Sequence, residues 1–279
     1  MAASTSSQRT YRYLRLGIAG TVVVIFTSVA VAATTVGWLP SVSDYFYTTA
    51  RASFVGALIA VSLALLALSG RGAERALLDA AALFAPLIAL VPTTLAPGAI
   101  PGVVAPCAMR CFPPAYEGLA ANGVITYLIV GALTVLVALL LATLKQLDLA
   151  TVRFSLLMTT AVLTVVAATW LFARDAFLAH GHFVATIAFF GLFAAVAVIN
   201  AFPRRGAPPA PVFRGLYIVI AVALAGVLVA YMVLLPQADA RGLPIVLLAE
   251  AAALLLFFAF WVVQGIEKWD DADPSIARG

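Results

Sequence analysis

Asp44, Tyr45, Tyr47, Thr48, Thr49, Arg51 and Ser53 crowd into ten residues of a chain that is otherwise oily. A guanidinium, a carboxylate and several hydroxyls at one place can hold a zwitterionic or phosphate-bearing headgroup. Far along the chain, Glu250 stands alone inside an apolar run. A carboxylate inside a bilayer costs about 2–3 kcal/mol unless paired or protonated. It marks a site, or a neutral acid bonded to a neighbouring helix. Cys107 and Cys111 form a C-x3-C pair, and His180 and His182 flank a glycine. In an oxidising compartment the cysteines read first as a disulfide closing a short loop. The four side chains together also have the ligand types of a Cys2His2 zinc site, but the spacing is not that of a known finger.

The bilayer must position these groups. The 279 residues are 64% hydrophobic and 10% charged, against about 25% charged in a soluble domain. Mean hydropathy is +1.10. No soluble core of this size hides so much apolar surface, so the chain is expected to form one all-α transmembrane bundle over residues 1–279. The small net charge of +4 calls for no nucleic-acid partner.

Eight apolar segments lie near residues 16–38, 52–70, 76–92, 119–144, 154–173, 183–201, 215–235 and 243–265. Each approaches the ~20 residues that cross the hydrocarbon as a helix. Segment 76–92 is the shortest, with Asp79 in its first turn and Pro86 inside, where a kink is expected. The first run follows Arg9, Arg12 and Arg15 and spans 23 residues. A signal-peptide core is about 7–15 residues long, so a retained helix is the first reading. Cleavage near Ala30, Ala32 and Ala33 is the alternative.

Orientation follows from the basic residues. With the N-terminus cytoplasmic, twelve Lys and Arg fall in inner segments and four (Arg51, Arg110, Arg174 and Arg241) in outer ones. The positive-inside rule then supports eight spans with both termini cytoplasmic. Trp38 and Trp170 would mark the outer interface, Trp261 and Trp269 the inner one. On this map Asp44, Arg51, Cys107, Arg110, Cys111, Glu117, Arg174, Asp175, His180, His182 and Asp239 lie in outer loops or at outer helix ends. Glu250 sits roughly 10 Å below the outer surface. The Pro- and Gly-rich loop 93–118 faces outward, the Pro-rich basic linker 202–214 inward, near anionic headgroups.

Other polar groups have plainer readings. Arg75 and Asp79 suit an i,i+4 ion pair. Asn122 and Asn200 sit near span ends, where capping or interhelical hydrogen bonds suffice. Small residues in several spans serve close helix packing. No Walker loop, G-x-S-x-G or H-E-x-x-H occurs, two histidines cannot supply a three-His hydrolase, and neither Lys145 nor Lys268 lies mid-span for a retinal linkage. Nothing implies a cofactor.

The stretch WLPSVSDYFYTTARASFVGAL resembles the S-I-S-x-Y-Y-Y-T…FVG stretch of an uncharacterised family of bacterial integral membrane proteins. LLAEAAALLLFFAFWVVQG resembles that family's last helix, an acidic residue followed by W-x-x-x-G. The two blocks cover about 45 residues and bring forward Ser43, Tyr45, Tyr47, Thr48 and Glu250. The resemblance implies a multi-pass protein of the bacterial cytoplasmic membrane and imports no activity. A more distant likeness, to eukaryotic DRAM-type membrane proteins, rests on Ser-Asp after the first helix.

The expected function is non-enzymatic: an outward-facing polar pocket, lined by Asp44, Tyr45, Tyr47, Arg51 and Glu250, for a lipid headgroup or small solute. Membrane lipids are the expected partners. Rival readings are a secondary, proton-coupled transporter, a lipid-modifying enzyme and an assembly subunit of a membrane complex. Glu250 is expected to turn inward and meet the 38–56 stretch near Tyr45, Tyr47 or Arg51, because lipid cannot solvate a carboxylate.

Overall fold

The computed structural model describes residues 5–68, 72–203, 208–234 and 244–270, excluding the side chains of 72 and 73. Expectations resting on Arg71, Arg204, Arg205, Asp239, Arg241 and the tail from 271 fall outside these residues. Eight helices are described: α1 Ser6–Val36, α2 Arg51–Leu68, α3 Gly72–Leu90, α4 Glu117–Thr143, α5 Leu149–Phe172, α6 Arg174–Ala201, α7 Pro211–Leu234 and α8 Ile245–Glu267. By length and composition, all but α3 are long and apolar enough to cross a membrane. The architecture is that of an all-helical, multi-pass membrane protein.

Local chemistry sets the helix ends. Thr5 and Gln8 form a capping box at the start of α1, satisfying two backbone N–H groups that the first turn leaves open. Gly37 ends α1 at φ +80°, a conformation that L side chains rarely adopt. Asp148 caps α5 through the backbone N–H of Ala150. The start of α1 is clamped to the end of α8. Arg12 donates to the Trp269 carbonyl at 2.6 Å and pairs with Asp270 at 3.3 Å, and Arg15 donates to the Lys268 carbonyl.

The one described helix that falls short of a membrane span is the central one. α3 packs between α2 and α6 and also meets α4 and α5. Its Ala80, Ala81, Ala82, Ala85 and Ala89 are buried, and such small side chains let neighbouring backbones approach closely. Protein rather than lipid surrounds it, so it can carry Glu74, Arg75 and Asp79 provided each is paired. Arg75 and Asp79 pair at 3.5 Å, and Ser155 of α5 donates to Asp79 at 2.6 Å. Pro86 has no N–H to offer the carbonyl of Ala82, four residues earlier. Ser62 of α2 supplies the donor instead, at 2.7 Å.

At the α1-start end, Glu74 accepts from Asn200 at 3.1 Å and from Gln264 at 3.4 Å. Lys268 reaches the Asn200 side-chain oxygen at 3.0 Å and lies 3.9 Å from Glu74. Tyr217 donates to Glu267 nearby. These bonds tie α3, α6, α7 and α8 together.

Phe193, Phe257, Phe260 and Trp261 interlock edge-to-face where α6 meets α8, and Phe189 packs tilted against Phe257. Trp261 is 1% exposed and Trp170 is also buried against Phe177. Both were expected at an interface. They belong to the core, whereas Trp38 and Trp269 stay exposed. α4 and α5 pack chiefly on each other and on α3, and most of their remaining surface faces outward.

Candidate functional site

The polar stretch after α1 does not hang as a loop. Residues Ser43–Tyr47 wind into a 3-10 turn whose five side chains are all buried. Tyr45 bolts the turn to the end of α1: its hydroxyl donates to the Gly37 carbonyl and accepts from the Leu39 N–H, both at 3.1 Å. Tyr47 donates to the carbonyl of Thr93, fastening the turn to the loop after α3. Burial raises the Tyr47 phenol far above its ordinary value, so it remains a donor. These two tyrosines build the site and offer no free hydroxyl to a ligand.

Glu250, in the second turn of α8, reaches into this turn. One carboxylate oxygen accepts from the Ser41 hydroxyl at 2.9 Å and the Ser43 N–H at 3.1 Å, and the other lies 2.9 Å from the Ser43 hydroxyl. The Leu247 N–H adds a bond to the Pro40 carbonyl. Glu250 therefore meets the 38–56 stretch through two serines. Arg51 is engaged elsewhere. It donates to the Phe46 carbonyl at 3.0 Å and to the Tyr116 hydroxyl at 3.4 Å, and it stacks on both of their rings.

The Ser43 hydroxyl has a second neighbour. His182 Nε2 lies 2.9 Å from it, and His182 Nδ1 lies 2.8 Å from the Val91 carbonyl oxygen. Both histidines were expected in a loop. α6 begins at Arg174, so both lie on its first turns, with His182 buried and His180 exposed. Residues two apart on a helix point to different sides.

Asp44 faces the loop between α3 and α4. It is fully buried, and its nearest cation is Arg110, at 3.5 Å. Neither of its oxygens makes a hydrogen bond. Burial pushes the Asp44 carboxyl up to about 7, with Arg110 pulling it down and Glu250 adding to the rise. Arg110 also donates to the Thr94 carbonyl. It sits inside the ring closed by a Cys107–Cys111 disulfide, and reciprocal backbone bonds between Leu95 and Cys111 pin that ring to the loop's first strand of chain.

The Cys2His2 zinc reading is corrected here. Both sulfurs are spent in the disulfide, and both His182 nitrogens face protein partners. Among the described residues, no three His, Cys, Asp or Glu side chains gather into a metal-holding group.

Below Ser43 and Glu250 a cavity of about 40 Å³ runs into the bundle, walled by Val22, Ile25, Leu58, Val61, Phe189 and Phe257 among others. Space of that size admits a few waters or a slim apolar group. Its two threonines, Thr21 and Thr186, turn their hydroxyls back to carbonyls of their own helices. Ser43 and Glu250 thus supply the polar chemistry of its lining. A larger apolar groove of about 520 Å³ lies between α3, α5 and α6, with His180 on its rim.

Of the residues singled out in the sequence, the structure brings together Glu250, Ser43 and the neighbouring Asp44. It places Tyr45, Tyr47 and Arg51 in the scaffold around them. Ser41, Arg110 and His182 complete the cluster; Arg110 and His182 were singled out in the sequence for other reasons, and Ser41 was not singled out. The chain matches no known protein family, no characterised protein and no solved structure.

Proposed function

We propose that this end of the bundle binds an amphiphile, a lipid or a small solute with an apolar body. The polar head would meet Ser43, Glu250 and the Asp44–Arg110 pair, and the apolar part would enter the cavity below. The observation that carries this reading is the junction itself: a carboxylate and a hydroxyl at the head of a cavity whose other walls are apolar. A few convergent polar groups on apolar walls are the usual chemistry of a small-molecule site, and a cavity of about 40 Å³ limits the inserted part to a slim chain end.

We further propose eight spans, α3 included, in the bacterial cytoplasmic membrane, with both termini cytoplasmic. The twelve-to-four split of basic residues supports this. So does the disulfide, which suits an outer compartment. The binding end then faces outward, and the disulfide loop covers it. Buried Asp44 and a proton-bearing neighbourhood give the transporter reading second place. The proposed family membership rests on the two sequence blocks alone.

Retention of ligand tests the reading. Protein purified in detergent and exchanged through repeated washes is expected to keep an amphiphile detectable by native mass spectrometry. Val61→Phe, which fills the cavity without touching the polar cluster, is expected to lose it. A wild-type protein that carries nothing, or a Val61→Phe protein that carries as much, would overturn the proposal.

A further inference from the structure

The hydrogen-bond geometry around Ser43 contains a count of protons. His182 Nδ1 faces a carbonyl oxygen, which only accepts, so Nδ1 carries a hydrogen. The Ser43 hydroxyl has one hydrogen and two neighbours at 2.9 Å, His182 Nε2 and a Glu250 oxygen. If that hydrogen goes to Nε2, the Glu250 contact needs a proton on Glu250. If it goes to Glu250, the His182 contact needs a proton on Nε2. Without one further proton, two lone pairs would face each other at one of these contacts. The remaining bonds do not alter the count. Ser41 accepts from the Asp44 N–H, which leaves its own hydrogen free for Glu250.

We infer that Glu250, Ser43 and His182 form a binding site for one proton, and that its departure loosens the 43–47 turn by breaking one of its two Ser43 contacts, to α8 or to α6. The inference goes beyond the amphiphile reading and does not depend on it. Two forms share the proton. In one, the Glu250 acid donates to Ser43 and Ser43 donates to neutral His182. In the other, His182 as imidazolium donates to Ser43 and Ser43 donates to the Glu250 carboxylate. They interconvert when the acid proton passes to the Ser43 oxygen and the Ser43 hydrogen passes to Nε2, and neither form changes the net charge. Loss of the proton to water leaves one of the two contacts repulsive.

The surroundings do not supply a substitute proton donor. Asp44, on the same turn, belongs to Arg110 of the disulfide loop. Tyr231 of α7 is electrostatically coupled to Glu250, Asp44 and Arg110. The cavity residues from α1, α2 and α3, among them Thr21, Val22, Phe54, Leu58 and Ile88, include no titratable group. Glu250 is only partly buried, which gives the proton an exit.

Ring-nitrogen NMR of 15N-histidine protein carrying His180→Asn, across pH 5.5–8.5, reads His182 alone. Nδ1 is expected to be protonated throughout, with one titration. A neutral form with Nδ1 bare and Nε2 protonated would overturn the inference. Hydrogen exchange of the 41–50 amides, corrected for intrinsic rate, reads the loosening. Protection is expected to fall about tenfold above the titration midpoint, as one buried Ser43 contact is left without its hydrogen. In Glu250→Gln the side-chain amide supplies a permanent donor to Ser43, so protection should not vary with pH. Asp44→Asn should keep the wild-type profile. Protection unchanged by pH in the wild type, a Glu250→Gln profile like the wild type, or abolition by Asp44→Asn would each overturn the inference. The NMR result stands even where Glu250→Gln does not fold, and none of these measurements needs a bound amphiphile.

Discussion

Asp44 and Arg110 face each other at 3.5 Å across the join between the α1–α2 turn and the disulfide loop, the carboxylate fully buried and the guanidinium partly exposed. The contact is longer than the roughly 2.7–2.9 Å of a good charge-assisted bond. Burial wins over the cation, and the Asp44 carboxyl rises to about 7.

That rise fixes a pH dependence. The folded protein holds the Asp44 proton more tightly than the unfolded chain, whose value is 3.8. The contribution to stability is therefore full below 3.8 and declines as pH rises to about 7. Thermal unfolding across this window should show the wild type losing stability with rising pH. Asp44→Asn should flatten that slope.

The disulfide closes a ring of few residues, so its effect on the unfolded chain is modest, about 2 kcal/mol in the loop-closure model. Replacing Cys107 and Cys111 by serine should lower stability by about that amount, read by denaturation in detergent. The intact protein should resist thiol alkylation until reduced.

Ser62 and Pro86 act as a pair. Ser62→Ala leaves the Ala82 carbonyl without a donor and should cost about 0.5–2 kcal/mol. Pro86→Ala restores the backbone donor, so Ser62→Ala made in that background should cost measurably less. A double-mutant cycle on unfolding free energy gives the coupling.

Two glycines separate backbone from side-chain crowding. A Cβ on Gly123 would lie 2.9 Å from the Leu90 Cβ and 3.2 Å from its carbonyl oxygen. Gly123→Ala should therefore push α4 from α3 and cost about 1–3 kcal/mol. At Gly131 the obstacle is the tip of Leu163, which can turn aside. Gly131→Ala should cost less by the same unfolding measurement.

For the proposed topology, reporter fusions after residues 100 and 208 should report opposite sides of the membrane. The same side for both would exclude the eight-span arrangement.

Much of the frame was legible because it is local. The cysteines are four apart, and Glu250 in an apolar run had to find donors. The identity of those donors was not legible. The 3-10 winding of residues 43–47 turns Ser41 and Ser43, rather than Arg51, toward α8, and no periodicity announces such a turn. His182 was legible as a candidate ligand but was placed in a loop, because hydropathy measures fitness for lipid. Residues 174–182 extend α6 ahead of its apolar run, with Phe177, Leu178 and His182 buried and Arg174, Asp175 and His180 exposed, so they are helical without being uniformly apolar. The same reason hides the role of α3. It reads as the weakest span and is the most enclosed helix. Its alanines look bland in sequence and matter through what they let approach.

The outward surfaces of α4 and α5 make lipid a structural neighbour of this hairpin. α4 spans 27 residues, about 40 Å, against a hydrocarbon layer of about 30 Å. A helix longer than the hydrocarbon layer is accommodated by tilt among other ways, and few interhelical contacts oppose a tilt of this pair. α4 is continuous with the chain that carries Arg110 and the disulfide. Lipid along the hairpin and the disulfide loop at its head are thus joined by one stretch of chain.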